Sequence, residues 1–492
     1  MTKRSPPRIS TGTAGLDEIL YGGLVRNRSY LVRGDPGTGK TILGMTFLTE
    51  GVENDETALY INLEEAEDDI RMNARSVGID LGDVSFLDLS PESSVFAEDQ
   101  SYDIFAPDEV EQDPLAGEIT DRVEELEPDR VFIDPLTKLR YLTGDEYQFR
   151  KQVVSFMRYL RERDATVLFT SQDTADSPDE DLQFLSDGTI ELARGEGGRT
   201  LSVPKFRGSD VQQGTHAVRI SSDGLSVYPE LRPDDHDREY VSEPLSSGVP
   251  QFDELLHGGI ERGTVTIISG PTGVGKTTVG TQFIKEAAGR GERSVLYLFE
   301  ESKKTLLERS EAIDVPVEAM LDQEALNVEQ VEPLNHSAEE FADKVRTEVE
   351  ERDASIVMLD GIQGYKLALR GSEDDLVRKL HMLGRYLKNM GVTVVFVDEV
   401  SGVTGEFQAT ESDISYLADN IVVFQHVEVQ GELHKAVGVI KKRTSDFERT
   451  LRKFDITSHG VRVGEPLTEL RGILSGTPEW VGDDEERETF GD

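Results

Sequence analysis

Cysteine is missing from all 492 residues, so disulfides, thiol catalysis and cysteine metal sites are excluded. Histidine is scarce: the eight present form no H-E-x-x-H or similar pair, which leaves no basis for a histidine metal site. No apolar run approaches the ~20 residues needed to cross a bilayer. The start, Met1-Thr2-Lys3-Arg4-Ser5-Pro6-Pro7, is polar and proline-broken, unlike a secretory signal. A soluble, cytoplasmic protein without a membrane partner is expected. Positive charge is the other shortage. Against 96 Asp and Glu stand 52 Lys and Arg, a formal net charge of −44 spread through both halves of the chain. Such a surface repels a bare phosphate backbone, so general nucleic-acid binding is not expected, a local basic patch or pore aside. An acidic surface of this kind is what a halophilic cytoplasm favours.

What the chain does contain is one glycine-rich pattern, twice. Gly34-Asp35-Pro36-Gly37-Thr38-Gly39-Lys40-Thr41 and Gly270-Pro271-Thr272-Gly273-Val274-Gly275-Lys276-Thr277 both fit G-x-x-x-x-G-K-[ST], the phosphate-binding loop, and Thr278 extends the second candidate set. Glycines let successive backbone N–H groups turn inward around phosphate oxygens. The Lys brings a positive charge to the β- and γ-phosphates, and the Thr hydroxyl ligates Mg²⁺. Apolar runs at 29–33 and 264–268 read as the preceding strands, and 42–48 and 279–284 as the following helices, the order this site requires. A helix N-terminus behind each loop adds its own attraction for anions.

The loops belong to an internal duplication. Ser10-Thr11-Gly12 with Leu16-Asp17-Glu18 and Gly22-Gly23 returns as Ser246-Ser247-Gly248 with Phe252-Asp253-Glu254 and Gly258-Gly259. The offset is 236 (246 − 10), and the loops share it (270 − 34). At about two to four domains for this length, two tandem α/β domains are expected, at 1–232 and 244–478. The charged, proline-containing stretch around Pro229–Asp237 marks the joint, with 233–243 as linker, and 479–492 reads as an acidic disordered tail. Pro91–Pro114, acidic and turn-rich, reads as a surface excursion of the first domain.

Short apolar strands end in Glu64-Glu65 and in Glu300-Glu301, again 236 apart (300 − 64). A carboxylate at the C-terminal end of a parallel strand lies on the ligand side of an open α/β sheet. One Glu of each pair is therefore placed to activate the water that attacks a γ-phosphate. Later strands end in Asp134 and Asp360, candidates for the Mg²⁺ shell beside Thr41 and Thr277. The strands reaching Ser171-Gln172 and Asp398-Glu399 end in polar groups that either sense the γ-phosphate or simply terminate the sheet. Lys205-Phe206-Arg207 and Lys441-Lys442-Arg443 repeat at the same offset (441 − 205). Alternation on a strand puts both cations on one face, either an anion site for a neighbouring subunit's triphosphate or a solvated face.

Together these residues resemble the double-domain KaiC family within the RecA-like ATPases, from about Ile9 to Pro478. The likeness rests on the Ser-Ser-Gly, Leu-Asp-Glu and Gly-Gly lead-in, the tandem glutamates, Asn73-Ala74-Arg75-Ser76, the Lys-x-Arg strand and the segment Asp419–Glu432. It implies two RecA-like α/β domains, each with a mostly parallel sheet covered by helices on both faces and each binding ATP with Mg²⁺. It also implies a ring, usually a homo-hexamer, with ATP at subunit interfaces, where Lys205, Arg207, Lys441 and Arg443 act in trans. Nucleotide occupancy and slow hydrolysis would switch the ring in signalling or timing, through protein signalling partners. The family's clock member phosphorylates an adjacent Ser and Thr, and the matching pair here is Ser415 and Tyr416, so Ser415 becomes a candidate autokinase site. Two other classes remain: a RecA- or RadA-like DNA-dependent ATPase of recombination or repair, and a nucleotide-dependent scaffold without turnover.

Overall fold

The apolar runs before the two loops, Ser29–Arg33 and Val265–Gly270, form the middle strands of two nine-stranded sheets. Their near-continuous burial is what a parallel strand covered by helices on both faces requires. The computed structural model describes residues 6–90, 114–142, 146–172, 179–195, 197–400, 410, 414–429, 431–474 and 479–481. The excursion expected at Pro91–Pro114 falls outside them up to residue 113, as does the expected tail beyond Val481. The chain divides into two units, Met1–Glu230 and Leu231–Asp492, each a RecA-like α/β domain.

In the first unit the parallel strands run, edge to centre, Ser85–Asp88, Ala58–Asn62, Arg130–Asp134, Thr166–Thr170, Ser29–Arg33 and Gly188–Gly195. Antiparallel strands Gly198–Phe206, His216–Ser221 and Gly224–Tyr228 continue the sheet. The second unit repeats this order with Leu326–Gln330, Arg293–Leu298, Ala354–Asp360, Thr393–Glu399, Val265–Gly270 and Asn420–Val429, followed by Glu432–Lys442, Arg452–Thr457 and Gly460–Pro466. Each sheet has an apolar cluster on both faces, the seat of each unit's core. Because the strands are parallel, Glu64, Asp134, Gln172 and the first loop all emerge at one sheet edge, and their counterparts do so in the second unit.

The duplicated lead-in has a structural task. Ser10 Oγ and Thr11 N–H donate to the two oxygens of Asp17 at 2.7 and 2.8 Å. Ser246 Oγ and Ser247 N–H do the same to Asp253 at 2.5 and 2.8 Å. These bonds fix the chain ahead of each central strand, so part of the repeated sequence is scaffold and not chemistry. The expected linker 233–243 lies against its own unit: Asn389 Nδ2 donates to Pro233 O at 2.7 Å, and the His236 ring meets Tyr386 edge-on at 4.9 Å.

Candidate functional site

Each loop turns directly into a 14-residue helix, Lys40–Glu53 or Lys276–Gly289, whose N-cap is a glycine in the left-handed region, Gly39 at φ 110° and Gly275 at φ 107°. A side chain there is doubly excluded, because a Cβ would stand 2.9 Å from Ile220 in one unit and 2.5 Å from Ile456 in the other. Neither helix start has a side-chain cap, whereas Ser302, Ser337 and Ser372 cap theirs. The first-turn N–H groups of both loop helices thus face the loop without a side-chain acceptor, the arrangement that takes an anion.

The lysines are held over the loop by its own carbonyls. Lys40 Nζ donates to Gly34 O at 2.6 Å and Asp35 O at 3.1 Å, and Lys276 Nζ to Gly270 O and Pro271 O at 2.8 and 2.9 Å. Burial lowers the proton affinity of both amines, against the pull of neighbouring carboxylates: Asp134, Asp35 and Glu64 at Lys40, and Glu399, Asp360, Glu300 and Asp398 at Lys276. Thr41 Oγ1 donates to Asp134 Oδ2 at 2.7 Å and Thr277 Oγ1 to Asp360 Oδ1 at 2.9 Å, so hydroxyl and carboxylate meet as a magnesium shell requires. In the first unit these groups line a cavity of about 590 Å³ with Gly34, Asp35, Pro36, Gly37, Glu64, Glu65, Tyr60, Thr170 and Gln172.

The two carboxylates of the shell differ. Asp134 also accepts from Tyr60 OH at 3.2 Å and from the Thr170 hydroxyl. Asp360 is pushed up by burial to about 7; among the described residues Thr277 is its one hydroxyl donor, because Leu296 and Val397 occupy the places of Tyr60 and Thr170. Burial raises Asp134 too, while its three hydroxyl partners pull the other way. Sequence reading missed Tyr60 and Thr170; the available signal was a hydroxyl facing the same way as the strand-end Asp from each neighbouring strand.

The glutamates stand at the strand ends as expected, in unlike surroundings. Glu64 takes a hydrogen bond from Gln172 Nε2 at 2.5 Å and pairs with Lys138 at 3.2 Å. Glu65 meets Asn73 Nδ2 at 3.5 Å. Glu300 accepts from the Gly364 N–H at 3.2 Å, and Glu301 is gripped by Arg309. Of the polar groups at the first unit's strand end, Gln172 reaches a glutamate, while Ser171 turns to Asp179.

The Lys-x-Arg strands point elsewhere. Lys205 Nζ donates to the carbonyls of Gln183, Phe184 and Ser186 at 2.5, 3.2 and 2.6 Å, and Arg207 reaches Phe184 O at 3.4 Å. Lys441 Nζ donates to Ser415 O at 2.8 Å and Arg443 to Tyr416 O at 3.1 Å. Among the described residues no hydrogen bond or ion pair joins any of the four to the phosphate loops of its own chain. Ser415 itself is half-buried and Tyr416 exposed, with the His381 ring edge-on to Tyr416 at 5.3 Å.

Comparison with known proteins follows this geometry. The model of a family described as an ATPase, KaiC, matches residues 9–232 and again 245–468. The chain belongs to the KaiC ATPase family. Among relatives, the circadian clock oscillator protein KaiC of Acaryochloris marina is 28% identical over 98% of this chain and 93% of its own length, and that of Synechococcus elongatus matches to the same extent. Circadian clock oscillator protein KaiC 1 of a Synechocystis strain is 27% identical over 99% of this chain and 94% of its own. Both copies of the duplication match the one family model, and the unequal surroundings of Asp134 and Asp360 are laid over that likeness.

Proposed function

We propose that this KaiC-family ATPase binds ATP with Mg²⁺ in both units and hydrolyses it, using nucleotide state to switch a ring assembly in signalling or timing. The observation that carries the reading is the twofold recurrence of one cradle: uncapped helix start, buried lysine and threonine–aspartate pair. Lys40 and Lys276 hold phosphate oxygens, as do the backbone N–H groups of Gly37–Thr41 and of Gly273–Thr278. Thr41 with Asp134, and Thr277 with Asp360, hold the metal shell; bound Mg²⁺ there offsets the charge of the phosphates. Glu64-Glu65 and Glu300-Glu301 orient the attacking water and take its proton. Among the described residues no helix is long and apolar enough to cross a membrane.

In a homo-hexameric ring the Lys-x-Arg strands would serve the neighbour's triphosphate. Lys205 already directs three donors to carbonyls, so in this reading it fixes the 183–186 segment and Arg207 makes the contact, with Lys441 and Arg443 dividing the task likewise. Mass measurement with and without ATP tests the ring, which should form with nucleotide and be lost in Arg207→Ala/Arg443→Ala. Nucleotide stoichiometry tests the cradles: Lys276→Ala should lose one of two ATP per chain and Lys40→Ala the other, and unchanged stoichiometry refutes the assignment. The relatives' printed role as clock oscillators supports timing as the output, and Ser415 as acceptor is tested by γ-labelled ATP, label elsewhere or nowhere removing it. A DNA-dependent ATPase would instead show hydrolysis stimulated by DNA, against a net charge of −44. A scaffold without turnover would keep both ATP intact.

A further inference from the structure

One exchange between the duplicated sites changes what their glutamates can do. Arg309 stands where the first unit has Asn73, at the common offset of 236 (309 − 73). Its guanidinium donates to both oxygens of one carboxylate, Nη1 to Glu301 Oε2 at 2.9 Å and Nη2 to Oε1 at 2.8 Å. Both ends of this fork are anchored. Glu301 immediately precedes Ser302, whose hydroxyl caps the helix Lys303–Ala312, and Arg309 lies two turns along that helix. The pair is mostly covered, the side chains being 18% and 36% exposed. Glu300 is exposed and accepts one backbone N–H, that of Gly364, at Oε1; no described residue donates to its Oε2. Gly361 and Gly364 leave room for it, since a Cβ at either would come within 2.6 and 2.9 Å of the Glu300 side chain.

The first unit has the cation on the other glutamate. Lys138, whose counterpart is Gly364 (364 − 138 = 226, as 360 − 134), pairs with Glu64, while among the described residues the Glu65 carboxylate has the long amide contact from Asn73 alone. A lysine that is 31% exposed beside a glutamate 41% exposed is a flexible point charge in a screened setting, and does not lock the carboxylate as a bidentate fork does.

We propose that Arg309 is a positioning residue: it withdraws Glu301 from proton transfer and leaves Glu300 the single base of the second site, whereas the first site keeps both Glu64 and Glu65 in use. The proposal rests on the reading that the glutamate pairs supply the base. The fork engages both Glu301 oxygens and fixes the plane of its carboxylate, so neither oxygen is turned toward an attacking water. Glu300 takes the proton of the attacking water as the water oxygen bonds to the γ-phosphorus. The bond from that phosphorus to the bridging oxygen breaks, and its electron pair leaves on ADP.

The test has two readouts on the full chain. Without nucleotide, a water-soluble carbodiimide with glycinamide should modify Glu300, Glu64 and Glu65 and spare Glu301, and Arg309→Asn should open Glu301 to modification. For turnover, a Lys40→Ala background reports the second site alone. There Glu300→Gln should lower hydrolysis at least ~100-fold and Glu301→Gln less than ~3-fold. Arg309→Asn added to Glu300→Gln should restore at least ~10-fold by releasing Glu301, and Arg309→Lys, which keeps the charge without the fork, should fall between. Glu301 modified as readily as Glu300 in the unsubstituted protein overturns the proposal, as does equal damage from the two Gln substitutions; in the latter case the base reading survives. Should neither Gln substitution matter, the base reading itself fails and this proposal with it.

Discussion

Tyr60 donates its hydroxyl to Asp134 at 3.2 Å, and in the second unit the equivalent position is Leu296, which offers Asp360 nothing. The two duplicated sites therefore hold their metal-shell carboxylates in different hydrogen-bonding surroundings. Tyr60→Phe removes one of three hydroxyls from a half-buried carboxylate already raised by desolvation, which favours its protonated form. The variant should bind Mg²⁺ at its first site more weakly than the parent, and the gap should narrow as pH rises and the carboxyl ionises in both. Titrating metal into a Lys276→Ala background, where only the first site is loaded, measures this.

Asp360 gives the complementary pH dependence. Burial raises it from its ordinary 3.8 to about 7, with Thr277 opposing and the charges of Glu301 and Glu300 assisting. A carboxyl whose folded value is the higher one contributes fully to stability below about pH 4. That contribution declines as the unfolded chain ionises and is gone once pH passes about 7. Asp360→Asn should therefore stabilise the nucleotide-free second unit on the order of a few kcal/mol at pH 8 and hardly at all near pH 4. Mg-ATP should no longer stabilise that unit in the variant. Thermal melts across this pH range, with and without Mg-ATP, check both halves.

The parts of this site that announce themselves in sequence do so because their chemistry tolerates few residue types. Only glycine fits Gly39 and Gly275, and only lysine followed by a hydroxyl makes the loops legible. Strand-end carboxylates were readable because parallel strands bring their C-terminal ends to one edge. Tyr60, Thr170, Asn73 and Arg309 were not, because each acts through a neighbour in space: a Tyr in an apolar strand looks like core, and an Arg on a charged helix looks like a solvated face. The Lys-x-Arg pairs lie on one face, as alternation on a strand requires, but what they face within the chain is the carbonyls of 183–186 and 415–416.

Arg130 illustrates a feature that pattern alone hides. It begins an apolar strand yet is 2% exposed, donating to Glu56 at 2.6 Å and to the carbonyls of Ser10 and Phe47 at 2.8 Å, with its guanidinium over the Phe47 ring. Gly51 makes the space, since a Cβ there would lie 2.5 Å from Arg130 Cδ. The second unit has Ile356 and Ala287 at these two places. Arg130→Ala leaves two carbonyls without this donor and Glu56 with Arg26 as its remaining partner, and should cost the first unit about 2–3 kcal/mol. Arg130→Ile paired with Gly51→Ala, which rebuilds the second unit's apolar arrangement and leaves Glu56 its bond to Arg26, should recover most of it. Denaturant unfolding of the two variants compares them directly.

A last pair of glycines separates rigid packing from yielding packing at matched positions. Gly44 and Gly280 sit in the loop helices, 236 apart (280 − 44), each against the strand that carries the metal-shell Asp. A Cβ on Gly44 would stand 2.1–2.3 Å from three atoms of the Phe132 ring, whereas one on Gly280 would meet the Met358 thioether end at 2.5 Å. A phenyl ring wedged edge-on between Tyr60 and the helix has nowhere to turn, but a methionine tip has rotamers to spare. Alanine gains up to ~1 kcal/mol over glycine in a helix interior. Overpacking a rigid contact costs ~1–3 kcal/mol. Gly280→Ala should accordingly be close to neutral, while Gly44→Ala should lower the first unit's stability by ~1–2 kcal/mol and, by pushing the helix off Phe132, weaken nucleotide binding at the first loop alone. Melting each variant with and without ATP, in chains where the other loop lysine is replaced by alanine, resolves the two units; equal effects from both substitutions would contradict this packing argument.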